Sequence, residues 1–334
     1  MAVADRRATI YDVAKVANVS VATVSHVLNR PDKVRESTRA RVLKVIDDLD
    51  FVPKEQAVSR ARRGVGRIGV LAPFTAHPSY LERLAGILED RTGRTEVVVF
   101  DHDDAGGDER PLLASLPSSG RLDGLVIMGV PLDDTLARRL IRRRLATVLV
   151  DGEYEGFSSV SVRDDRGGLI AGQHLIERGH RHVVFVAEAN QVADPMAPDQ
   201  RRWFGAESAF RLAGLPQDSI RRLQCGPGFV HADETLDQLL ALRPRPTAVF
   251  AHHDELAASV VAAARRRRLT VPDDLAVMGY DGGVLARAIG LTTVDQPLRE
   301  TGAVARRLMM AQLGGAQEAQ QIRLDPRLVV SATT

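Results

Sequence analysis

Residues 9–29 read TIYDVAKVANVSVATVSHVLN, and this stretch decides the fold of the N-terminal end. Its first part predicts a short amphipathic helix, because apolar residues stand at positions 10, 13, 14 and 17, the spacing of one helix face. Thr9 suits the N-cap of this helix, and Asp12, three residues later, completes a capping box. We therefore expect a helix that starts directly after Thr9.

A second helix follows after a tight turn. The turn is predicted at Asn18, because asparagine tolerates turn geometry, and Ser20 is placed to cap the helix 21–28. A third helix is expected from about Glu36 to Leu49, with apolar residues on one face. Two short helices across a tight turn, backed by a third, form a helix-turn-helix unit.

The second helix of such a unit enters the major groove of DNA. Val24, Val27 and Leu28 are expected to face the core of the unit, which leaves Val21, Ala22, Ser25 and His26 outward. Val21 and Ala22 offer only apolar contacts, whereas His26 can form directed hydrogen bonds to base edges. The alternative is a three-helix bundle with no role in DNA binding.

The charge distribution favours the DNA-binding interpretation. Residues 1–66 hold 13 Lys and Arg against 8 Asp and Glu, whereas the whole chain of 334 residues has a net charge of only +2. A basic head on a near-neutral body is expected when only the head meets a polyanion.

The head resembles the N-terminal signature of the lactose-repressor/galactose-repressor (LacI/GalR) family, and the match is long and ungapped. His26, after Thr-Val-Ser, resembles purine-repressor members, whereas sugar-responsive members more often carry arginine there. The resemblance implies binding to double-stranded operator DNA. The implied DNA-contacting residues are Tyr11, Ser20, Val21, Ala22, Thr23, Ser25, His26, Asn29, Ala57, Arg60 and Arg62.

The segment 53–66 matches the hinge of that family, with one departure. Pro53 and Ala57 follow the family pattern, but Arg60 occupies the position of the leucine that wedges into the minor groove. A charged arginine cannot replace an apolar wedge without losing its hydration. We therefore expect weaker kinking of the DNA and a steeper salt dependence of binding, with Arg60, Arg62 and Arg63 adding contacts to phosphates or the minor groove. The alternative is a poorly ordered basic linker.

The run Gly64–Gly69 has the spelling G-x-G-x-x-G of a dinucleotide site. Such a site must follow a strand and open a helix, whereas this run follows a basic linker and leads into a strand. No nucleotide site is predicted there.

The rest of the chain alternates apolar strand-like runs with helical stretches, which predicts an α/β fold with parallel sheets. Its length favours two lobes with a ligand in the crevice at the carboxyl ends of the strands. The segment 152–165 is polar and is expected to be a crossover. The predicted strands are 68–72, 96–100, 124–128, 147–150, 183–187, 248–251 and 276–279.

The body also resembles the same family, which implies an N-terminal all-α helix-turn-helix head followed by a two-lobed periplasmic-binding-protein-like core with three crossovers. It further implies a homodimer, possibly a tetramer. The expected divisions are a head at 1–52, a hinge at 53–66 and a core at 67–334, with lobe 1 at about 67–162 and 294–321 and lobe 2 at about 163–293 and 322–334.

The resemblance also implies a small-molecule effector, a sugar first and a purine second. Arg202 matches the arginine of an R-x-x-G segment, Asp281 follows Gly-Tyr, and His253 stands where sugar-binding relatives often have asparagine. An arginine and a carboxylate suit hydroxyl groups or an anion, and aromatic rings stack on apolar rings. The implied effector residues are Phe74, Tyr80, Arg202, Phe250, His253 and Asp281.

Other classes are less favoured. Asp101-His102-Asp103-Asp104 is interpreted as a solvated loop, His252-His253-Asp254 as effector and structural residues rather than a metal site, and the arginine runs 142–144 and 265–268 as solvated faces. No common hydrolase, metalloprotease or phosphate-loop motif occurs. We thus predict no enzyme and no cofactor. A metabolite-binding protein without operator function is the alternative.

The single cysteine, Cys225, fits a reducing compartment. No apolar run reaches the ~20 residues of a membrane span, and no secretion signal is evident. A cytoplasmic protein of bacterial type, without a membrane partner, is expected.

Overall fold

The structure is a computed structural model that describes residues 8–49, 51, 66–75, 77–89, 95–102, 111–119, 121–189, 197–226, 231–316 and 318–334. By its internal contacts the chain divides into two units. Unit 1 comprises residues 1–160 and 299–322, and unit 2 comprises residues 161–298 and 323–334. The chain therefore passes between the units three times.

The head consists of α1 (Ile10–Val16), α2 (Val21–Asn29), a 3₁₀ turn (Pro31–Lys33) and α3 (Glu36–Asp48). The three predicted helices are confirmed to within a residue or two. Val24, Val27 and Leu28 are buried in the head core, as predicted. Val21, which was expected to face outward, is half-buried and packs against the same core.

The first sheet has the strand order β11-β5-β4-β3-β1-β2, and its pairings among β1 to β5 are parallel. Its strands and the helices between them are β1 (Gly66–Ala72), α4 (Ser79–Ile87), β2 (Thr95–Asp101), α5 (Pro111–Ser119), β3 (Gly124–Met128), α6 (Asp134–Arg142), β4 (Ala146–Val150), β5 (Ser158–Val162) and β11 (Gln321–Leu324).

The second sheet has the order β12-β10-β9-β8-β6-β7, parallel except for the antiparallel pair of β10 with β12. Its elements are α7 (Asp164–Glu177), β6 (Val183–Glu188), α8 (Pro198–Leu212), β7 (Ile220–Cys225), α9 (Ala232–Ala241), β8 (Ala248–Ala251), α10 (Asp254–Arg266), β9 (Ala276–Asp281), α11 (Val284–Ile289), β10 (Thr292–Asp295), α12 (Leu298–Leu313) and β12 (Arg327–Val329).

All seven predicted strands are present, and the α/β class is confirmed. The chain crosses from unit 1 to unit 2 after Val160, within the predicted crossover at 152–165, but this polar segment also contains the strand β5, whose five residues are all buried. Serines at 158, 159 and 161 made it look like a loop. Within the sheet its backbone groups pair with β4, and Ser158 Oγ accepts hydrogen bonds from Gln312 and Gln320, so the polar side chain is tolerated.

Helices α7 and α8 cross at very short distance, and glycine makes this possible. A Cβ on Gly205 would lie 2.0 Å from the carbonyl oxygen of Asp165, and one on Gly168 would lie 2.0 Å from that of Arg202. Only residues without a side chain allow this approach. The close crossing places Arg202 directly beside the start of α7.

Among the described residues, no helix is both long and apolar enough to cross a membrane.

Candidate DNA-contacting face and effector site

The first helix of the head starts at the predicted capping box. The Thr9 amide donates to Asp12 Oδ2 at 2.8 Å, and the Asp12 amide donates to Thr9 Oγ1 at 3.3 Å. Two amides that the helix leaves without an internal acceptor are thereby satisfied. The capping box therefore fixes where α1 begins.

The turn between α1 and α2 is also determined by residues close in sequence. Asn18 adopts the left-handed conformation with φ 51°, which asparagine tolerates better than most residues. Ser20 Oγ then accepts the amide of Thr23 at 3.1 Å and so caps α2. These contacts set the angle at which α2 leaves the turn.

The outer face of α2 is open to solvent. Ala22, His26 and Asn29 are exposed, Thr23 and Ser25 are half-buried, and Tyr11 on α1 is 71% exposed. Asn29 Nδ2 donates to Ser25 Oγ at 3.1 Å, so these two side chains are held together. The arrangement offers an apolar contact at the start of the helix and hydrogen-bonding groups further along, as a major-groove helix requires.

The end of α3 is tied to the core helix α6 through Asp47. Arg139 Nε donates to Asp47 Oδ2 at 3.0 Å, and Arg143 Nη1 donates to the carbonyl of Phe51 at 2.7 Å. Arg143 Nη2 also donates to the Ile46 carbonyl at 3.0 Å, near the negative end of α3. The arginine run 142–144 is thus not simply solvated, because the Arg143 side chain is only 6% exposed.

The predicted hinge contacts of Ala57, Arg60 and Arg62 lie outside the described residues.

In unit 2 the side chain of Arg202, a predicted effector residue, is fixed by contacts with buried groups of the protein. Its Nε donates to Asp164 Oδ1 at 2.8 Å, Nη1 donates to the carbonyl of His252, and the guanidinium lies 3.8 Å from the centroid of the Tyr280 ring. Burial lowers the pKa of Arg202, but the Asp164 carboxylate outweighs it, so the pKa is raised and the side chain stays charged. The guanidinium of Arg202 is therefore engaged by three groups of the protein itself.

The aromatic residue Phe250 lies in the core of unit 2. It is fully buried and makes an edge contact with Phe185, their ring centroids 5.2 Å apart. The expectation that its ring stacks on a ligand disagrees with this burial, because β8 is covered on both faces and turns Phe250 inward. Its position at the end of a strand could not show whether the ring is accessible to a ligand or buried in the core.

His253 lies at the carboxyl edge of the second sheet, as predicted. Its Nδ1 accepts the amide of Leu256 at 3.0 Å and caps α10, while Nε2 lies 3.6 Å from Glu188 Oε1. Burial lowers the pKa of His253, but the carboxylates of Glu188 and Glu255 outweigh this and raise it to about 9. A protonated ring would donate to Glu255 instead of capping the helix.

Asp281 ends β9 at the same edge with a strained backbone, φ 117°. Its Oδ1 accepts a hydrogen bond from the side-chain amide of Gln296. The nearby Asp254 is structural, because it accepts hydrogen bonds from the Gly283 amide at 2.9 Å and from Thr293 Oγ1 at 2.6 Å. Burial and the charge of Asp281 raise the pKa of Asp254 to about 7.

Two predicted effector residues belong to unit 1. Phe74 is buried after β1, and Tyr80 in α4 is half-buried, with the Arg83 guanidinium 5.2 Å from its ring centroid. Arg83 forms a buried ion pair with Asp151, 2.6 Å between Nη2 and Oδ2. Sequence reasoning missed this pair, although the position of Asp151 directly after strand β4 was a usable signal.

The structure thus brings Arg202, His253 and Asp281 to one edge of unit 2, and it adds Glu188 and Asp164, which sequence reasoning missed. Glu188 stands at the end of β6, directly after a predicted strand, and Asp164 stands at the start of α7. A carboxylate at the end of a buried strand was the signal that could have found Glu188.

Sequence comparison agrees with this architecture. A profile described as "Bacterial regulatory proteins, lacI family" matches residues 9–54, and one described as "Periplasmic binding protein-like domain" matches residues 173–334. The HTH-type transcriptional regulator DegA of Bacillus subtilis (strain 168) is 30% identical over 338 residues, which cover 98% of this chain and 98% of the relative.

Two further proteins are similar over most of their length. The HTH-type transcriptional repressor PurR of Photobacterium profundum is 28% identical, covering 97% of each chain. The solved LacI family transcriptional regulator from Enterococcus faecium with bound ribose has a TM-score of 0.71 at 26% identity, covering 80% of this chain and 98% of the other.

The head and the two-sheet body together define a DNA-binding transcriptional regulator with a ligand-binding core, not an enzyme. The chain belongs to the lacI family of bacterial regulatory proteins.

Proposed function

We propose that this regulator is a repressor that binds a two-fold operator as a homodimer and changes its operator affinity when a sugar binds to the core. The observation that carries the DNA-binding half is the exposed face of α2, where Ala22, His26 and Asn29 stand outward on a helix fixed by its caps. A two-fold dimer presents two such helices to the two half-sites of an operator.

The chemistry of the unit 2 edge favours a sugar. Glu188, His253 and Asp281 offer carboxylates and an imidazole, which hydrogen-bond well to neighbouring hydroxyl groups. A purine needs an aromatic or apolar face, but the rings of Phe250 and Tyr280 are fully buried. The ribose-bound neighbour supports the same choice, while the PurR relative and His26 keep a purine as the second candidate.

The effector would act by binding one conformation of the core more tightly than another. His253 and Asp281 would contact it, whereas Arg202 would hold His252 and Asp164 in place. The expected position between the two lobes, and contacts from Phe74 and Tyr80, stay predictions.

The test uses the full chain and two independent measurements. Thermal shift with a panel of sugars, sugar phosphates and purines identifies the ligand, because a ligand of the native state raises the melting temperature. Binding-site selection then yields the operator, and titration of the ligand into the complex measures the response. A selected DNA site without two-fold symmetry would contradict the proposal that a homodimer binds a two-fold operator. Binding of a purine but of no sugar would contradict the proposal that the effector is a sugar.

Asp281→Asn provides the check on the site. It should leave operator affinity unchanged and weaken the ligand response. A response equal to that of the wild type would remove Asp281 from the site.

A further inference from the structure

Three side chains with metal-ligand chemistry converge at the edge of the second sheet. Glu188 ends β6, and His252 and His253 follow β8, its hydrogen-bonded neighbour, where Val186 is paired with Ala251. The parallel register therefore brings the end of one strand beside the end of the other. One ligand atom from each of the three residues lies within 4.8 Å of the other two.

We propose that Glu188, His252 and His253 bind a divalent transition-metal ion, with Zn²⁺ the best match to the ligand set. Two imidazoles and one carboxylate suit Zn²⁺ rather than Mg²⁺ or Ca²⁺, which prefer oxygen ligands. This site shares Glu188 and His253 with the proposed effector site, and it is tested with the metal alone, without effector or operator.

The distances fit this ion after a small adjustment. Tetrahedral Zn²⁺ with bonds of about 2.1 Å keeps its ligand atoms about 3.4 Å apart. The distance from His253 Nε2 to Glu188 Oε1 is already 3.6 Å. The ligand atoms of all three residues already lie within 4.8 Å of one another, so they need to approach by about 1 Å to reach the spacing of a tetrahedral site.

The surroundings are negative overall. Glu255 and Asp281 lie close enough to act on the His253 charge, and Glu255 Oε2 is 3.3 Å from His253 Nδ1. On the other side, Arg202 donates to the His252 carbonyl, but its charge is paired with Asp164. A cation in the cluster therefore meets more carboxylate than guanidinium charge.

Metal on Nε2 of His253 requires the ring proton on Nδ1. Glu255 is placed to accept a hydrogen bond from that N–H group, in the carboxylate–histidine–metal arrangement that orients many zinc ligands. The change costs the hydrogen bond that Nδ1 accepts from the Leu256 amide. Metal affinity at this site is therefore lower than it would be for a histidine free of the helix cap.

The experiment uses tag-free, full-length protein stripped with a chelator. Isothermal titration calorimetry with Zn²⁺ measures stoichiometry and affinity, and the absorption spectrum with Co²⁺ as a probe reports ligand type and geometry. We expect one ion per chain and a tetrahedral Co²⁺ spectrum without a thiolate band. Cys225→Ser should leave both unchanged.

Three variants test the ligands. Glu188→Gln and His252→Ala should abolish stoichiometric binding, and so should His253→Asn, which keeps an oxygen acceptor for the Leu256 amide and so preserves the cap. Glu255→Gln should weaken binding by about 10- to 100-fold, the usual effect of an outer carboxylate. His231→Ala is the matched control, a histidine outside the cluster that pairs with Glu234.

The melting curve of each variant without metal shows whether it folds. The proposal is overturned if the folded wild type takes up no Zn²⁺, or if the folded His252→Ala and His253→Asn variants bind it as the wild type does. Operator binding is measured in parallel, so that loss of the metal site and loss of DNA binding are seen separately.

Discussion

Arg202 Nε donates to Asp164 Oδ1 at 2.8 Å, with both side chains buried, so the arginine expected to hold the effector is itself held by an acid of the neighbouring helix. The pair joins the start of α7 to the first half of α8. Because Arg202 also donates to the His252 carbonyl, it connects these helices to the edge that carries His253. The contacts of Arg202 are thus all with groups of the protein itself.

Arg202→Ala should lower the free energy of unfolding by about 3–5 kcal/mol, because it leaves Asp164 buried without its cation. Urea denaturation of the full chain measures this change. Arg267→Ala is the control, since Arg267 pairs with Asp237 on the surface and its loss should change stability little. Equal effects of the two substitutions would contradict a structural role for the buried pair.

Gly205→Ala should destabilise the chain by about 1–3 kcal/mol or more, the usual cost of overpacking. The added methyl group would meet the carbonyl of Asp165, which is backbone and cannot rotate away. Helices α7 and α8 would have to separate, moving Arg202 from Asp164. Gly156→Ala is a comparison with open space around the new Cβ, though its φ of 87° adds a local strain. Melting temperatures and effector affinity are the measurements.

His26→Ala should relax base preference at one position of each half-site. A well-placed side-chain contact to a base contributes about 1–3 kcal/mol of discrimination, so the preferred base there should lose about 5- to 150-fold in relative affinity. Binding-site selection with wild type and variant measures this. His231→Ala, a histidine of unit 2, should select the wild-type sequence; an unchanged preference for His26→Ala would remove His26 from base contact.

The contribution of His174 to stability should fall as the pH drops below about 6.5, although the raised pKa of Asp254 acts in the opposite direction over the same range. Burial lowers the pKa of His174 from its usual 6.5, and the positive charge of Arg178 adds to this, with Glu177 opposing; His180 is shifted in the same direction. The folded chain then binds protons at these rings less readily than the unfolded chain, so acid favours unfolding. Above pH 6.5 this contribution is fully present.

His174→Gln should flatten that decline while keeping a polar partner for Thr334, whose Oγ1 lies 2.8 Å from His174 Nε2. Urea midpoints between pH 5 and pH 8 are the measurement. A slope identical to that of the wild type would show that His174 titrates normally.

Asp47→Ala should loosen the head from the core, because Arg139 and Arg143 lose the carboxylate between them. Hydrogen exchange at the end of α3 and in α6 should become faster, while the first turns of α1 and α2, held by their own caps, should change little. Lys44→Ala removes a cation from the same helix, on its exposed side, and serves as the control. Equal hydrogen-exchange rates in the variant and the wild type at the end of α3 and in α6 would contradict a stabilising role for the contact of Asp47 with the two arginines.

The head was predictable because its signals are local. Thr9, Asn18 and Ser20 act within four residues of their partners, so sequence alone fixes the helix starts. The buried strands were predictable for a similar reason, since continuous apolar runs identify them. The partners of Arg202 and Asp47 were not predictable, because Asp164 and Arg139 lie 38 and 92 residues away and meet them only through the fold.

The same distinction explains why burial could not be predicted at single residues. Motif position pointed to His253 and Asp281, which lie at one edge of unit 2, but it could not show that Phe250 lies in the core of unit 2 or that Val21 packs against the core of the head. Those outcomes depend on which side of an element its neighbours cover. β5 was not predicted because its serines make the segment polar. Their burial is explained only by hydrogen-bond partners that are distant in sequence, such as Gln312 for Ser158.

The contact of Arg139 and Arg143 with the end of α3 has a consequence for protein engineering. A head transplanted onto the core of a relative would carry Asp47 but not the two arginines that receive it, and a new core would present its own surface there. Chimeric regulators built by joining domains at the hinge would then differ from both parents in the strength of the contact between α3 and α6. Moving α6 together with the head, or choosing a recipient with arginines at these two positions, would preserve the junction.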